Sequence, residues 1–286
     1  MPELPEVETI ARGVDARVRG DRIVSVWFSS HTEPFKTSAN QQAEGLEGRT
    51  ILGVQRVGKH IVCELVAARR KVSASKENPV AAKPDAQWIV HLGMTGRLLV
   101  TSPDAPVAAH THARLTLSSG REIRFVDPRR FGRLEFRDLK GSEGFGAPGA
   151  EPLAIAGEAF AGLFRGRRLA IKAALLNQTL LSGVGNIYAD EGLFRAGLRP
   201  RRQAGRLTRA ELERLRVSLS AVLREAIRLG GSSVSDYVDA DGVRGFFQME
   251  HRVYQRTGEP CLVCRTPIKR IVVAGRSTHF CPHCQR

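Results

Sequence analysis

The sequence predicts an α+β protein in three parts. An N-terminal antiparallel β-sandwich with a flanking helix is expected over 1–145, a helical lobe over 146–250, and a zinc-finger β-hairpin over 251–286. Apolar and polar residues alternate in several runs before residue 140, as half-buried strands require. Beyond the Gly/Pro-rich stretch from Gly141 to Pro152 the apolar spacing becomes helical. The chain then closes on two CxxC pairs.

Glu6 to Val18 reads as a helix, because Val7, Ile10, Val14 and Val18 recur at helical spacing and Pro5 suits a first turn. The runs ILGVQRVGKHIVCELV, QWIVHLGM, HARLTLSSGREIRFV and GRLEF read as strands. Residues 67–86, polar and small, read as a mobile hairpin loop between two of them. In the second half, Arg168 to Leu181 reads as a helix broken by SGVGN, and Asn186 to Ala196 resumes it until Gly197. Thr208 with Glu211 forms a capping box that opens a helix ending at Gly230 and Gly231.

With 286 residues, 42% hydrophobic and 26% charged, the chain is a globular protein of one large or two medium domains. No apolar run is long enough for a membrane span, and MPELPEVETI carries no basic leader of the secretory kind. The net charge of +15 points to a polyanionic partner, nucleic acid first, or else to simple solubility. The excess concentrates late: residues 151–286 hold 22 basic against 12 acidic residues. Ten arginines lie between Arg195 and Arg228, and the tail from Arg252 is basic again.

Cys261, Cys264, Cys281 and Cys284 form two CxxC pairs, and four thiolates can close tetrahedrally around one structural Zn²⁺. Two disulfides are the alternative, disfavoured in a chain without a leader. Cys63 falls in a strand row with Val57, Ile61 and Leu65 and reads as a small buried side chain. Lys59 is the misfit of that row: it either snorkels out at a strand end or lines a site that needs a cation. Pro2 follows Met1, whose removal would leave a secondary amine at the chain end. Such an amine titrates near about 8 and can attack a carbonyl-like carbon, with Glu3 beside it to move a proton. The same residues also suit a plain helix leader.

PELPEVE, GKH, HLGMTGRL, DPRRFG, LLSGVGNIYADEGLF and the terminal CxxC pairs occur in the order found in the formamidopyrimidine-DNA glycosylase family, which the chain resembles over almost its whole length. The 67–86 segment looks like an insertion. The resemblance implies a monomeric base-excision-repair enzyme of the cytoplasm, at the nucleoid. It would remove oxidised purines from duplex DNA as a glycosylase and then cut the strand as an AP lyase. It also implies that the helical lobe is a helix–two-turn–helix element. Pro2 matches the Schiff-base nucleophile, Glu3 the acid/base, Lys59 the β-elimination residue and Arg276 the δ-elimination residue. For Arg276, phosphate clamping suits a guanidinium better than proton donation. Glu6 sits at a further acidic position, where a helix-terminus role is simplest.

Met94, Arg129 and Phe131 resemble the trio inserted where the flipped base was. Asn186 begins the second helix after a glycine turn, where a helix N-terminus attracts phosphate. His91, His110, Arg167 and Tyr254 match or lie near phosphate contacts, although both histidines are equally open to ordinary hydrogen bonding. Residues 233–248 resemble the flexible loop that closes over the flipped base, which favours purine lesions over the oxidised pyrimidines of endonuclease VIII-like relatives. A non-catalytic zinc-finger DNA-binding protein is the third reading, and the presence of Pro2, Glu3 and Lys59 together argues against it.

Overall fold

The computed structural model describes residues 1–67, 83–234 and 237–286. They form two compact units: Met1–Pro2, Glu6–Gly146 and Ser233–Gly245 in the first, Glu3–Pro5, Ala147–Ser232 and Phe246–Arg286 in the second. The fold is α+β, as the sequence predicts.

The first unit is built on two four-stranded antiparallel sheets. Strands β1 (Ile23–Phe28), β6 (Thr111–Leu117), β7 (Glu122–Val126) and β5 (Arg97–Thr101) make one, in that order. Strands β2 (Thr50–Val57), β3 (His60–Val66), β4 (Ala86–His91) and β8 (Arg133–Asp138) make the other. Register follows the alternation: Ile61 lies beside Val90 and Val90 beside Leu134, while Cys63 lies beside Trp88. These residues share one core with Leu98, Leu115, Ile123 and Phe125 of the other sheet. Helix α1 (Leu4–Val18) adds Val7, Ile10, Val14 and Val18 to it. Helix α2 (Ala39–Leu46) is tied to the sheet by Gln42, which is fully buried, accepts the Trp88 indole N–H at 3.1 Å and donates to the Thr37 carbonyl at 2.9 Å. Burial pushes the Cys63 thiol up to about 12, in keeping with a small core side chain.

Two expectations are revised here. Lys59 is no strand residue: it shares with Gly58 the two-residue turn between β2 and β3, where Val57 pairs with His60. Gly58 supplies the positive φ such a turn needs. Of the loop expected over 67–86, residues 68–82 lie outside the described residues. Asp85 already donates its N–H to Leu65 O at 2.9 Å, and β4 begins at Ala86.

In the second unit, helices α3 (Gly157–Phe164), α4 (Ile171–Leu176), α5 (Asn186–Ala196) and α6 (Arg209–Arg228) enclose a core that includes Phe160, Leu175, Tyr188, Leu193, Leu219 and Leu223. Helix α4 is far shorter than the Arg168–Leu181 expectation. Asn177 ends it, its carboxamide oxygen accepting the Thr179 N–H at 2.9 Å and so offering the backbone a turn instead. Helix α5 matches its expected limits and closes on Gly197 at φ 70. The capping box at Thr208 is present, with Glu211 N–H donating to the Thr208 hydroxyl at 3.2 Å. Strands β9 (Lys269–Val273) and β10 (Arg276–Phe280) form the C-terminal hairpin. Among the described residues no helix is long and apolar enough to cross a membrane.

Thr208→Ala removes the hydroxyl that accepts the Glu211 N–H while leaving the backbone N–H of residue 208 on the Glu211 carboxylate, and thermal unfolding should report a loss of roughly 1 kcal/mol with DNA binding retained.

Candidate active site

Each unit carries part of the expected site. In the first, His91 ends β4 and its Nδ1 accepts the Gly93 N–H at 3.2 Å. Burial, with His60, Lys59, Lys36 and Arg133 adding to it, pushes His91 down to about 4. It is therefore a neutral imidazole near pH 7, with Nε2–H as its donor. His60 is also lowered by burial, and its ring lies 4.9 Å from that of His91 and 4.7 Å from Phe145. Pro2 and Lys59 are both buried, Lys59 at 9% exposure. His110 is exposed on positive-φ backbone.

The loops bearing Met94, Arg129 and Phe131 are locked together by Asp127, which has no solvent exposure. One carboxylate oxygen accepts the Thr95 hydroxyl at 2.6 Å and the Arg129 N–H at 3.3 Å. The other accepts the Gly132 N–H at 2.7 Å. Gly93 abuts the backbone of Phe131 and Gly132, where a Cβ would overlap it. Met94 and Phe131 stand out at 44% and 49% exposure, and the Arg129 guanidinium lies 4.8 Å over the Phe131 ring. Arg130 turns back to His31 and Glu33 at 3.1 Å each, so only Arg129 of this arginine pair joins the apolar tip.

In the second unit Glu3 is 5% exposed at the start of α5. Its carboxylate accepts the N–H groups of Ile187 at 3.1 Å and Tyr188 at 3.4 Å. The amides that the sequence offers to a phosphate at this helix N-terminus are thus held by Glu3. Arg276 is exposed and follows the Ala274–Gly275 turn, both of whose residues have positive φ. The next three residues are fixed from the helices. Asn186 Nδ2 donates to Ser277 O at 3.0 Å, and Lys172 Nζ donates to Ser277 O and Thr278 Oγ1 at 2.8 Å each. His279 N–H donates to Asp190 at 2.8 Å. Lys172 and Asp190 form an ion pair at 2.7 Å with neither side chain exposed. Burial lowers the Lys172 ammonium from its usual range, opposed first by Asp190.

Tyr254 packs 5.2 Å from the His279 ring, and its N–H reaches Glu191 at 2.9 Å together with those of Arg252 and Val253. Arg167 is exposed beside its backbone link to Gly205. Glu6 lies in the first turn of α1, the helix end expected of it, and is buried there at 2% exposure. Of the closing loop, residues 235 and 236 lie outside the described residues.

Sequence reasoning passed over Lys172, Asp190, Asp127 and the space at Gly185. The signal for Lys172 was available, because a lysine inside LAIKAALL is as anomalous as Lys59. The arginine cluster is also less available to a polyanion than its count implies. Arg195, Arg202, Arg209 and Arg216 pair with Glu225, Glu211, Glu158 and Glu213.

The four zinc-finger thiols lie within 4.8 Å of one another. Cys261 and Cys284 sulfurs are 3.9 Å apart and those of Cys264 and Cys281 3.4 Å, close to the roughly 3.8 Å edge of a tetrahedron with Zn–S near 2.3 Å. None of the four is disulfide-bonded. The donors therefore fit one structural Zn²⁺ with every position filled by protein.

Family models for the formamidopyrimidine-DNA glycosylase N-terminal domain, its H2TH domain and the zinc finger found in FPG and IleRS match residues 1–134, 148–238 and 258–286. The chain belongs to the formamidopyrimidine-DNA glycosylase family. A formamidopyrimidine-DNA glycosylase of Solibacter usitatus (strain Ellin6076) is 44% identical over 286 residues, all of both chains. Among solved structures, a Lactococcus lactis FPG mutant bound to Fapy-dG containing DNA superposes with TM-score 0.84 at 33% identity, covering all of both chains. A MutM complex with carbocyclic 8-oxo-G containing DNA does so with TM-score 0.84 at 34% identity, again over both whole chains. As a member of that family the chain is a DNA-formamidopyrimidine glycosylase of base-excision repair, with DNA as its partner and one structural zinc.

Two measurements bear on these details. Chelation of zinc, or Cys281→Ser, should abolish DNA binding while circular dichroism shows the first unit still folded. His91 and His251, both pushed down to about 4 by burial, bind fewer protons folded than unfolded below pH 6.5. Their stabilisation is complete above that value and is lost as pH falls toward 4. Denaturant titration at pH 5 should therefore show a loss of roughly 2 kcal/mol per histidine, relieved in His91→Gln.

Proposed function

We propose that the enzyme excises oxidised purines, 8-oxoguanine and formamidopyrimidines, from duplex DNA through a Schiff base on Pro2, then cleaves the strand by β,δ-elimination. The observation that carries this reading is the Glu3 carboxylate, held by the N–H groups of Ile187 and Tyr188 and following in sequence Pro2, whose amine the removal of Met1 frees. Removal of Met1 exposes the Pro2 amine, which attacks C1′ of the damaged nucleotide as the bond to the base breaks. Glu3 delivers a proton to O4′ as the sugar opens, leaving an iminium on Pro2. Loss of a C2′ proton then expels the 3′ phosphate, and a second elimination expels the 5′ phosphate. Lys59 assists the first elimination and contacts phosphate. Arg276 binds phosphate for the second, as a permanently charged fork rather than a proton donor.

Met94, Arg129 and Phe131 fill the space of the extruded base. His91, His110, Arg167, Asn186 and Tyr254 hold the backbone. Catalysis is assigned to 1–145, DNA binding to 146–250 and the zinc finger to 251–286, in a monomer that acts in the cytoplasm at the nucleoid.

Borohydride should trap wild-type protein on a duplex with 8-oxoguanine opposite cytosine, and Pro2→Gly should abolish the adduct. Binding without trapping or nicking would sink the catalytic reading, and faster excision of an oxidised pyrimidine would favour the endonuclease VIII-like one. Arg167→Ala should weaken binding and lower the slope of log K against log salt by about 1. His91→Gln should weaken binding with the slope unchanged, because its imidazole is neutral.

A further inference from the structure

We propose that Gly185 is a positioning residue for Glu3: by carrying no side chain, it leaves the space that the catalytic carboxyl occupies. The inference rests on the role of Glu3 given above. Gly185 lies at φ −131 and ψ −161, extended backbone that any residue adopts, so conformation does not call for glycine here. Space does, because a Cβ built on Gly185 would overlap the carboxyl group and Cγ of Glu3. Two residues earlier the same loop receives Leu4, whose N–H donates to Gly183 O at 3.0 Å and whose side chain lies 2.9 Å from where a Cβ on Gly183 would stand.

SGVGN is thus a cradle for Glu3 and Leu4, and it is stiff. Gln178 donates to Val184 O at 2.8 Å and accepts the Gly183 N–H at 2.9 Å, and Ser182 donates to Gly149 O at 3.1 Å. The softest element at the contact is the Glu3 side chain. An added methyl at residue 185 therefore moves the carboxyl off the amides of Ile187 and Tyr188, while the loop and helix stay in place.

The test compares single-turnover excision of 8-oxoguanine by wild type, Gly185→Ala, Glu3→Gln and the double variant. Gly185→Ala should slow excision roughly 100-fold, the scale of a general acid–base contribution, with affinity for a tetrahydrofuran-containing duplex and zinc content unchanged. The double variant should be no slower than Glu3→Gln alone, because Gly185 acts only through that carboxyl. Additive losses, or wild-type rates in Gly185→Ala, would overturn the proposal. Melting temperatures give a separate arm. Whatever stability Gly185→Ala loses should return in Glu3→Ala/Gly185→Ala, and a loss that persists would mean the methyl collides elsewhere. That arm reads the contact even if wild type fails to trap, an outcome that would overturn the function reading instead.

Discussion

The second unit depends on an ion pair with no access to water. Lys172 and Asp190 meet at 2.7 Å, and either charge buried alone would cost several kcal/mol. The pair is tolerable because its surplus hydrogen-bonding capacity is used: Lys172 donates to Ser277 and Thr278, and Asp190 accepts from the backbone of His279. Those partners are consecutive residues of β10. Removing either member would leave a buried charge uncompensated, at a cost of about 3–5 kcal/mol, so the position of the hairpin against α4 and α5 is strongly specified. Arg276, immediately before these residues, has its backbone placed by that constraint while its side chain stays exposed.

The first unit solves a similar problem with one carboxylate and neutral donors. Asp127 gathers Thr95, Arg129 and Gly132, so the loops bearing Met94 and Phe131 form one rigid tip rather than two independent ones. Rigidity lets exposed apolar side chains remain presented to a partner instead of collapsing onto the surface. The cation–π contact of Arg129 with Phe131 adds about 0.5–1 kcal/mol at such a site.

The zinc finger has too little core to hold itself. Among the described residues Phe194, Val253, Ile268, Cys261 and Cys281 make its buried cluster, and Phe194 belongs to α5. Four thiolates on one metal provide the missing cross-link, and the ion pair fixes where the result docks. Charge plays a smaller structural part than the sequence suggests. Several arginines of the 195–228 cluster are paired with glutamates, and the exposed pair of Arg209 with Glu158 contributes little stability.

By itself the sequence determined the α+β class, the strand rows of β3, β4 and β8, the limits of α5, the capping box of α6 and the zinc ligands. These are local, written in periodicity, caps and short spacings. The same is true of the order of motifs that identified the family. Tertiary structure alone decided that α4 is short, that Lys59 sits on a turn, and that Glu3 rather than a phosphate holds the α5 amides. It also decided that Asp127, Lys172 and Asp190 brace the residues expected to act. The first two rest on local turns at Asn177 and Gly58 that periodicity does not register, whereas the others depend on groups far apart in the chain meeting where water is excluded. Burial and partner choice are properties of the folded contact, and no one-dimensional pattern encodes the empty space at Gly185 that a carboxyl from the other end of the chain comes to fill.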